Sequence, residues 1–199
     1  MTTRPARPYH HGNLRAELLA RAEETLAEQG VASLSLRELA RQTGVSHAAP
    51  RRHFAGKQAL LDALAEDGFE RLRAELRDAI DAAGDDLADR LLAFARAYVR
   101  FATEHAALLE LMFAGKHRPG AERLGEAARR AFAAPLALID EGQAAGEVVP
   151  GDPDRVAIVV LSALHGLAAL ANNQMVDADA LDEVVPEVVE RLLDGVRPR

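Results

Sequence analysis

The chain has 199 residues, 49% of them apolar and 28% charged, enough to bury a sizeable core in one larger unit or two small domains. It has no cysteine, which excludes disulfides and thiolate metal sites and fits a reducing cytoplasm. The net charge of −7 is unevenly divided: residues 1–57 hold nine Lys/Arg against five Asp/Glu, and the remainder holds fifteen against twenty-six. A positive head on a negative body suits a protein that meets phosphate at one end only.

The leader, MTTRPARPYHHGN, has no apolar run and is not expected to be a signal peptide. Arg4, Arg7, His10 and His11 could act there as a flexible arm on phosphate. The His pair lacks carboxylate neighbours, so no metal site is expected. A first helix is expected over 14–29, with Leu14, Leu18, Leu19, Ala22 and Leu26 on one face.

A second helix is expected over 36–43. Ser35 can cap it, with Glu38 completing a capping box, and Leu36, Leu39 and Ala40 share a face. Gly44 ends this helix, because glycine takes the left-handed conformation without a side-chain penalty. Val45 can plug the angle, and Ser46 can cap a third helix over 46–53. That helix would carry His47, Arg51, Arg52 and His53, with Pro50 in its first turn or so, where a missing N–H costs little. Phe54 returns to the core, Gly56 breaks the chain, and Lys57 opens a helix over 57–82. Two helices meeting at a tight glycine turn, the second one basic, are the physical description of a helix-turn-helix DNA reader.

Beyond residue 57 the composition favours helix throughout, and strand signals are missing. After a break at Gly84-Asp85-Asp86, helices are expected over 86–104, 106–114, 120–145, 153–175 and 179–194. Loops fall at 115–119 and 146–153, and Pro135 and Pro186 should kink or restart their helices. The longest apolar stretch, Val156 to Ala171, is interrupted by Ser162, His165 and Gly166. It is expected to be too short to span a bilayer and to form a buried helix. The reading is all-α, with about nine helices and no internal repeat.

No catalytic constellation assembles. There is no G-x-S-x-G, G-x-G-x-x-G or Walker loop, and His105 and His117 are too far apart for a one-face metal pair. Carboxylates along 62–90 alternate with Arg, as on a solvated helix face. No metal and no cofactor are expected.

The stretch from Ser35 to Leu61 resembles the tetracycline-repressor (TetR) family of bacterial transcription regulators. The matching residues are Ser35 and Leu36, Leu39-Ala40, Gly44-Val45-Ser46, His53-Phe54, Lys57 and Leu60-Leu61, at ungapped spacing. Two positions depart from the family pattern: Arg51 stands where an aromatic, most often Tyr, is usual, and Pro50 where an aliphatic residue is usual. Ala163-Leu164-His165-Gly166-Leu167 is similar to a subgroup whose C-terminal domain is named for a Trp-His-Gly motif, with Leu164 at the Trp position.

The resemblance implies a DNA-binding head, residues 1–57, and a ligand-binding and dimerisation body, residues 58–199. Ser46, His47, Ala48, Ala49 and Arg51 would face the major groove of operator DNA. Ser35, Arg52, His53 and Lys57 would hold phosphates. It also implies a homodimer through helices near 153–175 and 179–194, whose apolar residues include Ile158, Leu161, Leu164, Leu181, Val184, Val185, Val188, Val189, Leu192 and Leu193. A small-molecule inducer, not identified by the sequence, would sit in the body. Large or polar-tipped residues gather there at Phe94, Tyr98, Phe101, His105, Met112, Phe113, Phe132, His165 and Asn172, a set that an ordinary core would also use. The implied function is a cytoplasmic, ligand-responsive repressor without enzymatic activity or membrane attachment. The other reading of the same residues is a small helical enzyme or carrier with an apolar pocket and an incidental basic head.

Overall fold

The computed structural model describes residues 14–115 and 118–196. Arg4, Arg7, His10, His11 and His117 lie outside the described residues. Among the described residues there are nine α-helices, three short 3-10 turns and no strand. The chain divides into two compact units between Leu64 and Ala65, a boundary that falls inside one long helix.

In the first unit, α1 (Leu14–Gln29) buries Leu18, Leu19, Ala22 and Leu26. Gly30 then turns the chain into a 3-10 turn at Val31–Ser33. α2 (Leu36–Gln42) starts where Ser35 Oγ accepts the Glu38 N–H at 3.1 Å. The expected capping box closes on one side, because the Glu38 carboxylate turns to Arg41 and Gln42. α2 ends in a Schellman turn: Val45 N–H donates to the Ala40 carbonyl at 3.0 Å, and Gly44, at φ +70°, donates to that of Arg41 at 3.3 Å.

The expected helix over 46–53 is a correction. This segment is a turn followed by a 3-10 turn at Pro50–Arg52. Its bonds run i→i−3, from Ala49 to Ser46 (2.9 Å), Arg52 to Ala49 (3.1 Å) and His53 to Pro50 (3.0 Å). Pro50 is the physical reason. It has no N–H to give to the Ser46 carbonyl, and its ring crowds that carbonyl, so the turn tightens. Pro50 and Phe54 are buried. Phe54 closes the core of this unit with Leu39, Ala40, Leu60 and Leu61, the last two at the start of α3 (Lys57–Ala82).

In the second unit, α3 buries Phe69, Leu72, Leu76 and Ile80 along one face. α4 (Leu87–Glu104) is capped by Asp86, which accepts N–H bonds from Ala88 at 2.8 Å and Asp89 at 3.2 Å. It packs on α5 (Ala106–Gly115), α7 (Ala133–Ala145), α8 (Pro153–Asn172) and α9 (Leu181–Val196), so it is buried on most sides. A Cβ at Gly68 would meet Met112 Sδ at 2.7 Å, so glycine there lets α5 lie against α3.

The single helix expected over 120–145 is two, α6 (Glu122–Ala131) and α7, broken at Phe132. Pro135 cannot donate to the Ala131 carbonyl, and it sits in the first turn of α7, where no donor is needed. Pro186 does not restart its helix; α9 continues through it. The total of nine therefore matches through two opposite differences, one helix lost as a 3-10 turn and one gained by division.

α8 differs from its reading as a buried helix. Its inner face packs on α4, α7 and α9 through Val160, Leu164, Leu167 and Ala168, while Ile158, Val159 and Leu170 are 63%, 55% and 41% exposed. At 20 residues it is also long and apolar enough, by length and composition, to cross a bilayer, contrary to the reading as too short. Its packed inner face is that of a helix in a folded body.

Candidate nucleic-acid interface and body cavity

The short turn after Gly44 puts its polar side chains outward. Ser46, His47, Ala48, Arg51, Arg52 and His53 are exposed, and Ala49 is half-buried. Buried Pro50 and Phe54 anchor the segment from beneath, so the cationic side chains leave from a fixed base. Ser35 is exposed at the start of α2; its oxygen accepts the Glu38 N–H, and its hydroxyl hydrogen stays free to donate.

Lys57 has a structural tie. Its Nζ donates to the Ala32 carbonyl at 3.1 Å, pinning the α1–α2 connection, while the side chain remains exposed. Arg37 on α2, which the sequence reading left out, is exposed as well. Its place on the outward face of a short helix was the signal available. By contrast Arg41 is engaged by Glu38, whose carboxyl that hydrogen bond holds below the usual range.

The aromatic and polar set expected to form one pocket is divided between three surroundings. A cleft of about 670 Å³ opens in the second unit, and Phe94 and Phe132 line it. Its floor is apolar, with buried Leu91, Pro135, Ile139 and Val160. Its lip is Arg129, Ala133, Asp154 and Ile158, all exposed.

Tyr98, Phe113 and His165 form a cluster that joins the cleft wall at Phe132, with ring centroids 6.2 Å (Tyr98–Phe132) and 6.3 Å (Phe113–Phe132) apart. The fully buried Tyr98 hydroxyl meets His165 Nδ1 at 2.9 Å, and burial pushes the phenol well above its usual pKa. His165 itself is exposed on its outer side and packs against Phe113 at 5.5 Å.

The remaining members are core or capping groups. Phe101 is fully buried with His105 4.8 Å from it, Met112 packs on Gly68, and Asn172 Nδ2 donates to the Ala102 carbonyl at 3.0 Å. These four belong to the packing and do not line the cleft. The sequence reading followed large side chains and so missed Gly125, Ala128, Ala133 and Ala157, whose small size leaves the space.

Part of the expected dimer set is likewise internal. Leu164, Val185, Val189 and Leu193 are buried within the body, Leu161, Leu181, Val184, Val188 and Leu192 are half-buried, and Ile158 is exposed. α6, which lines the cleft, is tied to α3 on its other side: Arg130 pairs with Glu70 at 2.7 Å and Arg123 with Glu66 at 3.3 Å. Arg130, with Arg73, holds the Glu70 carboxyl below the ordinary range.

Comparison with known proteins follows these two units. Residues 18–64 match the family model described as bacterial regulatory proteins, tetR family, and residues 91–196 match a tetracyclin repressor-like C-terminal domain. Neither description names the Trp-His-Gly subgroup. An HTH-type transcriptional regulator of Mycobacterium bovis is 29% identical over 144 residues, covering 68% of this chain. The chain spans 59% of the length of that relative. A solved protein of unknown function from Rhodococcus sp. RHA1 is 48% identical, with 97% of this chain and 100% of that chain covered and a TM-score of 0.89. A TetR family transcription regulator from Marinobacter aquaeolei VT8, 19% identical over 94% of this chain and 97% of its own, shares the fold at a TM-score of 0.76. With both units matched and the fold in common, the chain belongs to the TetR family of bacterial regulatory proteins.

Proposed function

We propose that this protein is a dimeric, cytoplasmic transcription regulator that binds operator DNA through the 46–53 turn and leaves it when a small apolar molecule enters the body cleft. The observation that carries the reading is the exposed set His47, Arg51, Arg52 and His53, fixed from beneath by buried Pro50 and Phe54. Ser46, His47, Ala48, Ala49 and Arg51 are assigned to base edges, and Ser35, Arg52, His53 and Lys57 to phosphates. Residues near 1–57 serve as the DNA-binding part and the rest as the regulatory part. No enzymatic step is assigned, in keeping with a family of regulators.

The dimer is assigned to the outer face of α8. Regulators of this family usually act as dimers. From Val156 to Val176 the chain has no Asp, Glu, Lys or Arg, although 28% of the whole chain is charged. A charge-free face can meet its own copy around a twofold axis without like-charge repulsion. Gly166 supports the same face: a Cβ there would meet nothing within 4 Å, so no packing inside the chain asks for a glycine in mid-helix.

Release is assigned to α6, which lines the cleft with Gly125, Ala128 and Arg129 and is ion-paired to α3 through Arg130 and Arg123. A ligand that fits one position of α6 better than another would bias that linkage, and only such unequal affinity can shift the equilibrium.

The test is duplex binding by fluorescence anisotropy across a salt series. Binding should weaken steeply with salt, and Arg52→Ala should flatten the log–log slope by about 0.9. Salt-independent or absent duplex binding would favour the enzyme or carrier reading.

A further inference from the structure

We propose that the molecule held in the body cleft has an apolar tail and a head bearing both signs of charge, an anionic group set on Arg129 and a cationic group on Asp154. The inference rests on the reading of the cleft as the regulatory site, and it names the class of molecule that would enter there.

The floor takes the tail. Leu91, Phe94, Ile139 and Val160 are buried in it, and its volume of about 670 Å³ lies within the ~300–1,000 Å³ usual for sites of small organic molecules. The lip differs in kind. It carries one cation, Arg129, and one anion, Asp154, both exposed.

Arg129 stands apart on its own helix. α6 has three arginines, and the other two are committed to α3, Arg123 to Glu66 and Arg130 to Glu70. Arg155, next to Asp154, pairs with Asp152 at 3.7 Å. Among the described residues Arg129 has no acidic partner and Asp154 no basic one, so the two do not close on each other across the lip. Each stands where its charge is tolerated without a partner, Arg129 in the last turn of α6 and Asp154 in the first turn of α8.

That arrangement selects the head. A wholly apolar occupant would take water from both groups and return no hydrogen bond. A carboxylate alone would satisfy Arg129 but share the lip with a like charge at Asp154, and an amine alone would have the opposite fault. A head with both groups gives each a charge-assisted hydrogen bond. The fitting class is a zwitterion with one apolar tail.

Calorimetry on the whole chain tests this with three probes of one tail, decanoate, decylamine and α-aminodecanoate, each below its micellar concentration. α-Aminodecanoate should bind about tenfold tighter than either single-charge probe, the worth of one hydrogen bond to a charged group. Arg129→Gln should erase its advantage over decylamine, and Asp154→Asn its advantage over decanoate. Arg96→Gln, at an exposed position of α4 outside the cleft, changes the net charge as Arg129→Gln does and should leave all three affinities unchanged.

Absence of α-aminodecanoate binding, equal binding of the three probes, or a preference that survives both substitutions overturns the two-charge head. Duplex anisotropy with the probe bound separates this from the reading beneath it. α-Aminodecanoate that binds as stated, yet leaves duplex affinity unchanged, supports the head assignment and removes the cleft from regulation.

Discussion

Arg51 and Arg52 leave the same 3-10 turn, yet their assigned tasks differ. Arg51→Ala should change which base is preferred at one position, by about 1–3 kcal/mol of discrimination, with a smaller effect on unrelated duplexes. Arg52→Ala should weaken binding to all duplexes alike. Competition between a selected site and its single-base variants separates the two. In the body, Tyr98 is the residue whose environment speaks most plainly. Its phenol is buried, bonded to His165 and pushed upward in pKa, so the folded state holds it neutral. Because the folded value is raised, this contribution to stability is fully present below about pH 10, the ordinary value of the unfolded phenol, and is lost as pH rises beyond it. Urea midpoints should fall above that pH in the parent protein and fall less in Tyr98→Phe. At neutral pH Tyr98→Phe should cost about 0.5–1.5 kcal/mol, the net value of one hydrogen bond.

Gly44 and Pro50 decide the shape of the DNA-facing element. Gly44 is at φ +70°, where a Cβ is strained, so Gly44→Ala should lower stability by about 1–2 kcal/mol by urea denaturation. The sequence made this turn legible: glycine at the end of an apolar-faced helix has one dominant use. It made the next element less legible. Pro50 was read as harmless at a helix start, but it is the fifth residue of the expected helix, and its missing N–H removes the bond that an α-helix needs there. The same chemistry at Pro135 divides α6 from α7. Helix periodicity reads faces well and boundaries poorly, because one lost donor is invisible in an apolar pattern. On the side of α6 away from the cleft, Glu70→Gln should cost less than about 1 kcal/mol, since its ion pair with Arg130 is solvent-screened. It should nevertheless alter the response of DNA binding to a cleft ligand, which a merely structural ion pair would not.

At the scale of the whole molecule, the all-α class was legible in the composition, whereas the boundary between the two compact units, at Leu64 and Ala65, lies inside a continuous helix and leaves no mark in the charges. The cleft was not legible either. Phe101 and Met112 looked like pocket residues and are core, whereas Gly125 and Ala128 line open space. A cavity is volume that small side chains leave vacant, and a search for large ones cannot find it. α8 was read both as a buried helix and as a dimer face, since an apolar helix is called for equally by a core and by contact with another chain. Gly166→Arg should therefore shift sedimentation from dimer to monomer and, because one head contacts few base pairs, reduce operator affinity by at least tenfold. The central claim is that two copies of the 46–53 turn read DNA, and protection of genomic DNA against cleavage tests it most directly. The account predicts a salt-sensitive protected site of two inverted half-sites, centred about 10–10.5 base pairs or a multiple apart and lost with Arg51→Ala and Arg52→Ala together. A protein that protects no site at low salt, or protects the same site after both substitutions, would contradict it.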